Sequence, residues 1–233
     1  MNRILALFFI AFTVGTGLAQ DRDPVNANNN NLAALATFGP DGANIGSSSV
    51  VINPAKNVQG SYHLFKNWNN RGVFVFDDSD KKYLLRNINF NLDRQVFESK
   101  VGKDSVFTFS FDNVKSIVVN GREFKNMYVP GQRGNKTFEI VFEGTDFAIV
   151  KENYITITEG SDNPMINRPS KFVKEEDYFV RRGNSMKPIR LKKSTILKLA
   201  GSEADQLEDY VKKNRLSYKE DADVRQMLNF ALN

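Results

Sequence analysis

Between residues 60 and 158 the apolar positions recur every second residue. In SVFTFSF, residues 105–111, Phe107, Phe109 and Phe111 share one face while Val106, Thr108 and Ser110 share the other. TFEIVF, residues 137–142, repeats the pattern with Phe138, Ile140 and Phe142. Period two is the signature of strands with one richer apolar face. Further runs at 73–76, 83–90, 95–100, 116–119, 123–129, 147–150 and 154–158 are separated by turn material: DDSD, NLDR, VGKD, EGTD and KEN. IVVNGREF places Asn120 and Gly121, which both tolerate positive φ, where a two-residue type I′ hairpin needs them. Short connections make successive strands antiparallel neighbours. The pattern predicts a mainly β, α+β fold: an antiparallel meander that curls into a barrel or a sandwich.

Beyond SDNPMINRPS, residues 161–170, two more short strands are expected at 178–182 and 188–191. The period then becomes 3.6. Ile196, Leu197, Leu199 and Ala200 predict a short helix that Gly201 ends. Ser202 is positioned to cap a second helix, with Asp205 at its third residue and Leu207 and Val211 one turn apart. Ser217 and Glu220 have capping-box spacing before a third helix carrying Val224, Met227, Leu228 and Ala231 at i, i+3, i+4 and i+7. Three helices this short bury too little surface to stand alone, so the tail is expected to pack on the sheet or on a partner, with the sheet favoured.

The N-terminal residues change the cellular picture. MNRILALFFIAFTVGTGLA has one arginine, an apolar run, and small residues at Gly17 and Ala19, which predicts a secretory signal over 1–19 with cleavage before Gln20. Its strongly apolar part, 4–14, is shorter than the roughly 20 residues of a spanning helix. Residues 20–58, with eight asparagines and three prolines, read as a flexible Asn-rich leader with one strand candidate at 48–53. The expected organisation is therefore signal 1–19, leader 20–58, antiparallel β domain 59–191 and helical tail 192–233. The mature protein is expected in the periplasm or outside the cell, without a transmembrane segment.

Composition then removes several chemistries. The chain has no cysteine, so neither disulfides nor a thiol nucleophile exist, and its one histidine leaves a structural zinc site without a ligand set. Losing the signal removes Arg3 and leaves 31 basic against 27 acidic residues, too mild a surplus to imply nucleic acid. No cofactor is expected.

Several segments, taken together and in order, are similar to a group of small exported proteins of Bacteroidota with no assigned activity. They are GSYHL, LLRNINFNLDRQVFESK, IVVNGREF, FEIVFEG, PSKFVKEEDYFVRRG and the lysine-rich LKLAGSEADQLEDYVKKNRLSYKEDADVRQML, and they span about 60–232. The resemblance implies a β-rich body with a helical tail in a cell-envelope protein. It implies no catalytic residues, the leader departs from its pattern, and a histidine at position 63 is not characteristic of it.

Candidate chemistry is sparse. His63 and Trp68, each the only one of its kind, lie within QGSYHLFKNWNNRG and read as residues of the first ordered strand and its turn. Ser61 shares the face of His63, but no nucleophile elbow or oxyanion motif accompanies them. Asp93, Glu98, Glu139, Glu143 and Asp146 lie near strands without a spacing that singles out a glycosidase pair. DDSD at 77–80 lacks the glycine and distant glutamate of a calcium loop, and GQRGNKT at 131–137 fails the P-loop spacing and precedes a strand. RRGNSMKPIRLKKSTILK, residues 181–198, has seven basic residues and no acidic one. Arg181, Arg182, Lys187, Arg190, Lys192 and Lys193 are therefore candidate contacts for an anionic glycan or an acidic envelope protein; the alternative is a solvated connector facing acidic residues of the next helix. The expected function is a non-enzymatic envelope protein that binds a protein or glycan. The alternatives are a carrier of a lipid or hydrophobic peptide among the nineteen phenylalanines, and a carboxylate-based hydrolase.

Overall fold

The structure, a computed structural model, describes residues 46–50, 58–76, 82–102, 105–111, 114–161 and 168–232. The signal segment 1–19, most of the leader and the DDSD turn lie outside the described residues. The chain is mainly β with a C-terminal helical unit, and no sheet among the described residues closes into a barrel.

Two sheets form. The larger follows the order β13 (Ser185–Ile189), β12 (Ser170–Arg182), β11 (Ala148–Thr158), β10 (Asn135–Glu143), β9 (Arg122–Tyr128), β8 (Val114–Val119), β3 (Arg71–Phe76), β4 (Lys82–Arg86); the short β2 (Val58–Gln59) joins β12 in parallel. The smaller follows β1 (Gly46–Val50), β7 (Ser105–Phe109), β6 (Val96–Lys100), β5 (Ile88–Asn91). From β8 to β13 the chain is the expected meander. The departure is the excursion through β4 to β7, which lets β3 pair with β8 and builds the second sheet. The passage from one sheet to the other is a single residue, Asn87, in left-handed conformation at φ 54°. Asparagine tolerates that region, and the predicted single strand 83–90 is thereby broken into β4 and β5. Gly72 makes the corner possible: a Cβ there would stand 3.0 Å from the Ile88 side chain.

Residues 46–50 of the leader pair with β7 from Gly46↔Phe109 to Val50↔Ser105, close to the strand candidate at 48–53. The Asn120–Gly121 hairpin is as predicted, with φ of 51° and 80° between the paired Val119 and Arg122. One face assignment fails. Ile140 pairs with Val150 but Phe142 pairs with Ile149, so Val141 is an extra residue, a β-bulge, and Phe142 turns to the opposite face from Phe138 and Ile140.

Three helices follow: α1 (Lys193–Ala200), α2 (Ala204–Asn214) and α3 (Asp221–Leu232). Gly201 ends α1 at φ 61°. Ser202 does not cap α2, whose N-cap is Glu203 with no side-chain cap bond, because a 3₁₀ turn over Gly201–Glu203 occupies the junction. The acid that closes on Ser217 is Asp223 rather than Glu220: its carboxylate accepts the Ser217 N–H at 2.7 Å, and the helix begins at Asp221, three residues later than the capping box predicts.

Both additions pack on the larger sheet. Phe74, Ile117 and Phe124 share a core with Phe90, Phe97, Phe107 and Phe109 of the smaller sheet. At the other end Val141, Phe142, Ile149 and Val180 share a second core with Ile196, Leu207, Val211, Val224, Met227 and Leu228 of the helices. Buried helix positions match the predicted spacing.

Candidate functional site

The two covers leave a seam. On one face of β11 the alternate residues are Ile149, Lys151, Asn153 and Ile155. Ile149 belongs to the helical core and Ile155 packs on the phenylalanine core, while Lys151 and Asn153 lie between. By its polarity alone the sequence KEN predicts a turn. It is instead the middle of one continuous strand, polar where neither cover reaches. Lys151 stands opposite Glu139 of β10 and Tyr178 of β12, so these share its face.

Here lies a cleft of about 520 Å³, walled by Leu64 and Leu92, the Asn120–Gly121 hairpin, Lys174, Glu176 and the intervening backbone of β12, and the start of α3. Its floor is a buried ionic network. Arg122 grips Glu139 with both ends of its fork, Nε to Oε1 at 2.7 Å and Nη2 to Oε2 at 2.5 Å. Asn153 Nδ2 donates to Oε2 at 3.0 Å, and Lys151 Nζ lies 3.1 Å from the same oxygen. Lys151 also bonds Asp221 of α3 and approaches Glu176 to 3.7 Å. The Tyr178 hydroxyl lies 3.0 Å from a carboxylate oxygen of each of Glu176 and Asp221. The Arg122 guanidinium lies over the Phe65 and Phe124 rings, 5.4 and 5.6 Å from their centroids.

Burial and charge pull against each other in this network. Burial alone would raise the Glu139 carboxyl, but the Arg122 hydrogen bonds and the Arg122 and Lys151 charges outweigh it and hold Glu139 below the usual carboxylate range. Burial likewise opposes the charge on Lys151, yet Glu139 and Asp221 hold its ammonium above the ordinary lysine value. Burial, with the charges of Asp221 and Glu176, pushes the Tyr178 phenol up. Desolvation lowers Lys174, which donates to the Leu64 carbonyl at 3.0 Å.

His63 forms a second polar cluster. Residues 61–65 do not form the predicted strand. They run beside β5 through two backbone bonds, Leu64 N–H to Phe90 and Leu92 N–H to Tyr62, with His63 a single bridge to Asn91. The imidazole is buried, Nε2 2.9 Å from Glu98 Oε2, with Trp68 edge-on to its ring at 4.6 Å. The buried Glu98 also receives Asn91 Nδ2 at 3.0 Å and Arg94 Nη1 at 3.2 Å. Ser61 Oγ accepts the His63 backbone N–H at 3.1 Å and so caps the chain locally.

Three of the basic candidates have partners of their own. Arg181 Nε bonds the Gly183 carbonyl, Arg182 lies over Phe147, and Lys193 pairs with Glu208 of α2 at 2.7 Å. Lys187, Arg190 and Lys192 are exposed. Among the carboxylates, Glu143 pairs with Lys125, and Asp93 and Asp146 are exposed. No group of three or more acidic or histidine side chains among the described residues is arranged to hold a metal ion. No helix among them is long and apolar enough to cross a membrane, which says nothing about strands.

Sequence reading missed Arg122, Lys151, Asn153, Tyr178 and Asp221. The available signal was the polar pair Lys151 and Asn153 interrupting an otherwise apolar strand face. Comparison with models of known families, with curated proteins and with solved structures finds no match to this chain.

Proposed function

We propose that the protein is exported, resides in the cell envelope and binds a protein or glycan partner without catalysing a reaction, with the cleft as its recognition site. The observation that carries this reading is the direction of the shifts in the network. A general acid or base needs a pKa near the working pH, whereas Glu139 is moved down and Lys151 and Tyr178 are moved up, away from neutrality. Such groups hold a shape and present fixed donors and acceptors. The phenylalanine packing, with centroids 4.7 Å apart for Phe74 and Phe109 and 4.8 Å for Phe90 and Phe97, supports core filling over a carrier role. The core shared by the sheets supports reading them as a curled sandwich.

Native mass spectrometry of the protein drawn from its own envelope, with lipids retained, tests the binding reading. A co-purifying protein or glycan is the expected result; stoichiometric lipid would overturn it in favour of the carrier. N-terminal sequencing of the same material should begin at Gln20, and an intact Met1 would remove the export step.

A further inference from the structure

The cleft opens beside an unfinished sheet edge. β12 is bonded to β11 without a register shift, from Thr158↔Lys171 to Ala148↔Arg181. On its other side β13 pairs with residues 178–182 and β2 with Ser170 and Lys171. Residues 172–177 have no strand partner on that side among the described residues. Six extended residues span about 20 Å; Gly60 lies against the Phe172 backbone, and beyond it the outward N–H and C=O groups form a template for another strand.

Edge strands are usually blunted by proline, a bulge, brevity or charge, and charge is the only one of these that the stretch 172–177 has. β13 fits that description, with five residues and Pro188. The stretch 172–177 has neither proline nor glycine, and it carries Lys174, Glu175, Glu176 and Asp177, all exposed. Glu175 and Asp177 lie opposite Tyr154 and Glu152 of β11 on the face away from the cleft; Glu152 is paired there with Lys136 at 2.7 Å and Asp177 accepts from the Tyr154 hydroxyl at 3.1 Å, which leaves Glu175 and the remaining acceptor capacity of Asp177 to a partner. The single cation of the stretch, Lys174, turns to the cleft and the Leu64 carbonyl. An acidic edge repels a second copy of itself and selects an oppositely charged strand.

Resting on the binding reading above, we infer that residues 172–177 of β12 accept an extended basic segment of a protein partner as an added strand, its lysines or arginines at alternate positions facing Glu175 and Asp177. A backbone ladder matches a polypeptide and not a glycan.

The test uses the full mature chain and a displayed library of random heptapeptides. Selected peptides should be enriched in Lys and Arg at alternate positions and should slow amide exchange at 172–177. They should bind E175K/D177K at least tenfold more weakly, with the melting temperature of that variant unchanged. Failure to select any binder, absence of basic enrichment, or equal binding to the double variant would overturn the inference. Ala222→Trp, at an exposed cleft-lining position of α3, separates the two readings. An envelope partner lost with Ala222→Trp but retained by E175K/D177K sinks the added strand and spares the cleft. A partner indifferent to both sinks both.

Discussion

Arg225 of α3 donates through Nε to the Val141 carbonyl at 2.8 Å, and its Nη2 reaches the Ile140 carbonyl at 2.9 Å. These carbonyls lie at the bulge of β10, where the extra residue interrupts the ladder to β11. A charged side chain from the tail therefore completes the hydrogen bonding of the sheet. Arg225→Met keeps much of the stem but removes both donors. Leaving buried acceptors unpaired costs about 1–3 kcal/mol. Urea unfolding should show that loss, and an unchanged midpoint would mean that water replaces the guanidinium without penalty.

Leu228 is fully buried between α3 and the sheet. Large-to-alanine changes at such positions cost about 2–5 kcal/mol, depending on how far the site collapses. Because the same core holds Val141, Ile149 and Val180, Leu228→Ala should lower the melting temperature of the whole protein in a single transition. Two separated transitions, with the β signal unmoved, would mean that the tail unfolds independently.

The strands of the meander, the Asn120–Gly121 hairpin and the buried helix positions were readable because each rests on local periodicity or local turn chemistry. The second sheet was not, since a one-residue corner at Asn87 leaves no composition signal and the pairing of β3 with β8 is long-range. Phe142 was placed on the wrong face because a bulge shifts the alternation by one without changing residue types. The cleft was hidden for a related reason. Polar residues inside a strand look like a turn until the two covers that flank them are known, and its parts come from β9, β10, β11, β12 and α3.

His63 lies outside a regular strand with its imidazole buried against Glu98, and its substitution should be felt accordingly. Glu98, itself buried, accepts from His63, Asn91 and Arg94. His63→Leu removes one of these partners and should cost about 1–3 kcal/mol. His63→Gln can still present an amide N–H to Glu98 and should recover part of that loss. Equal destabilisation by the two variants would show that ring packing against Tyr62 and Trp68 matters more than the hydrogen bond.

The ionic floor of the cleft predicts a specific acid limb of stability. Glu139 has a folded pKa below its unfolded value of roughly 4.3. Its contribution is therefore fully present above that value and is lost as pH falls through the folded pKa. Lys151 runs the other way, its contribution present below roughly 10.4 and lost as pH rises through its raised folded value. Glu139→Gln leaves Arg122 and Lys151 buried without their shared partner, a loss of about 3–5 kcal/mol near neutral pH. In the wild type, protonating Glu139 removes the same charge. Urea midpoints compared from pH 3 to 8 should thus show the two proteins converging as pH falls below about 4. A constant difference over that range would mean that shape, not charge, sets the role of Glu139.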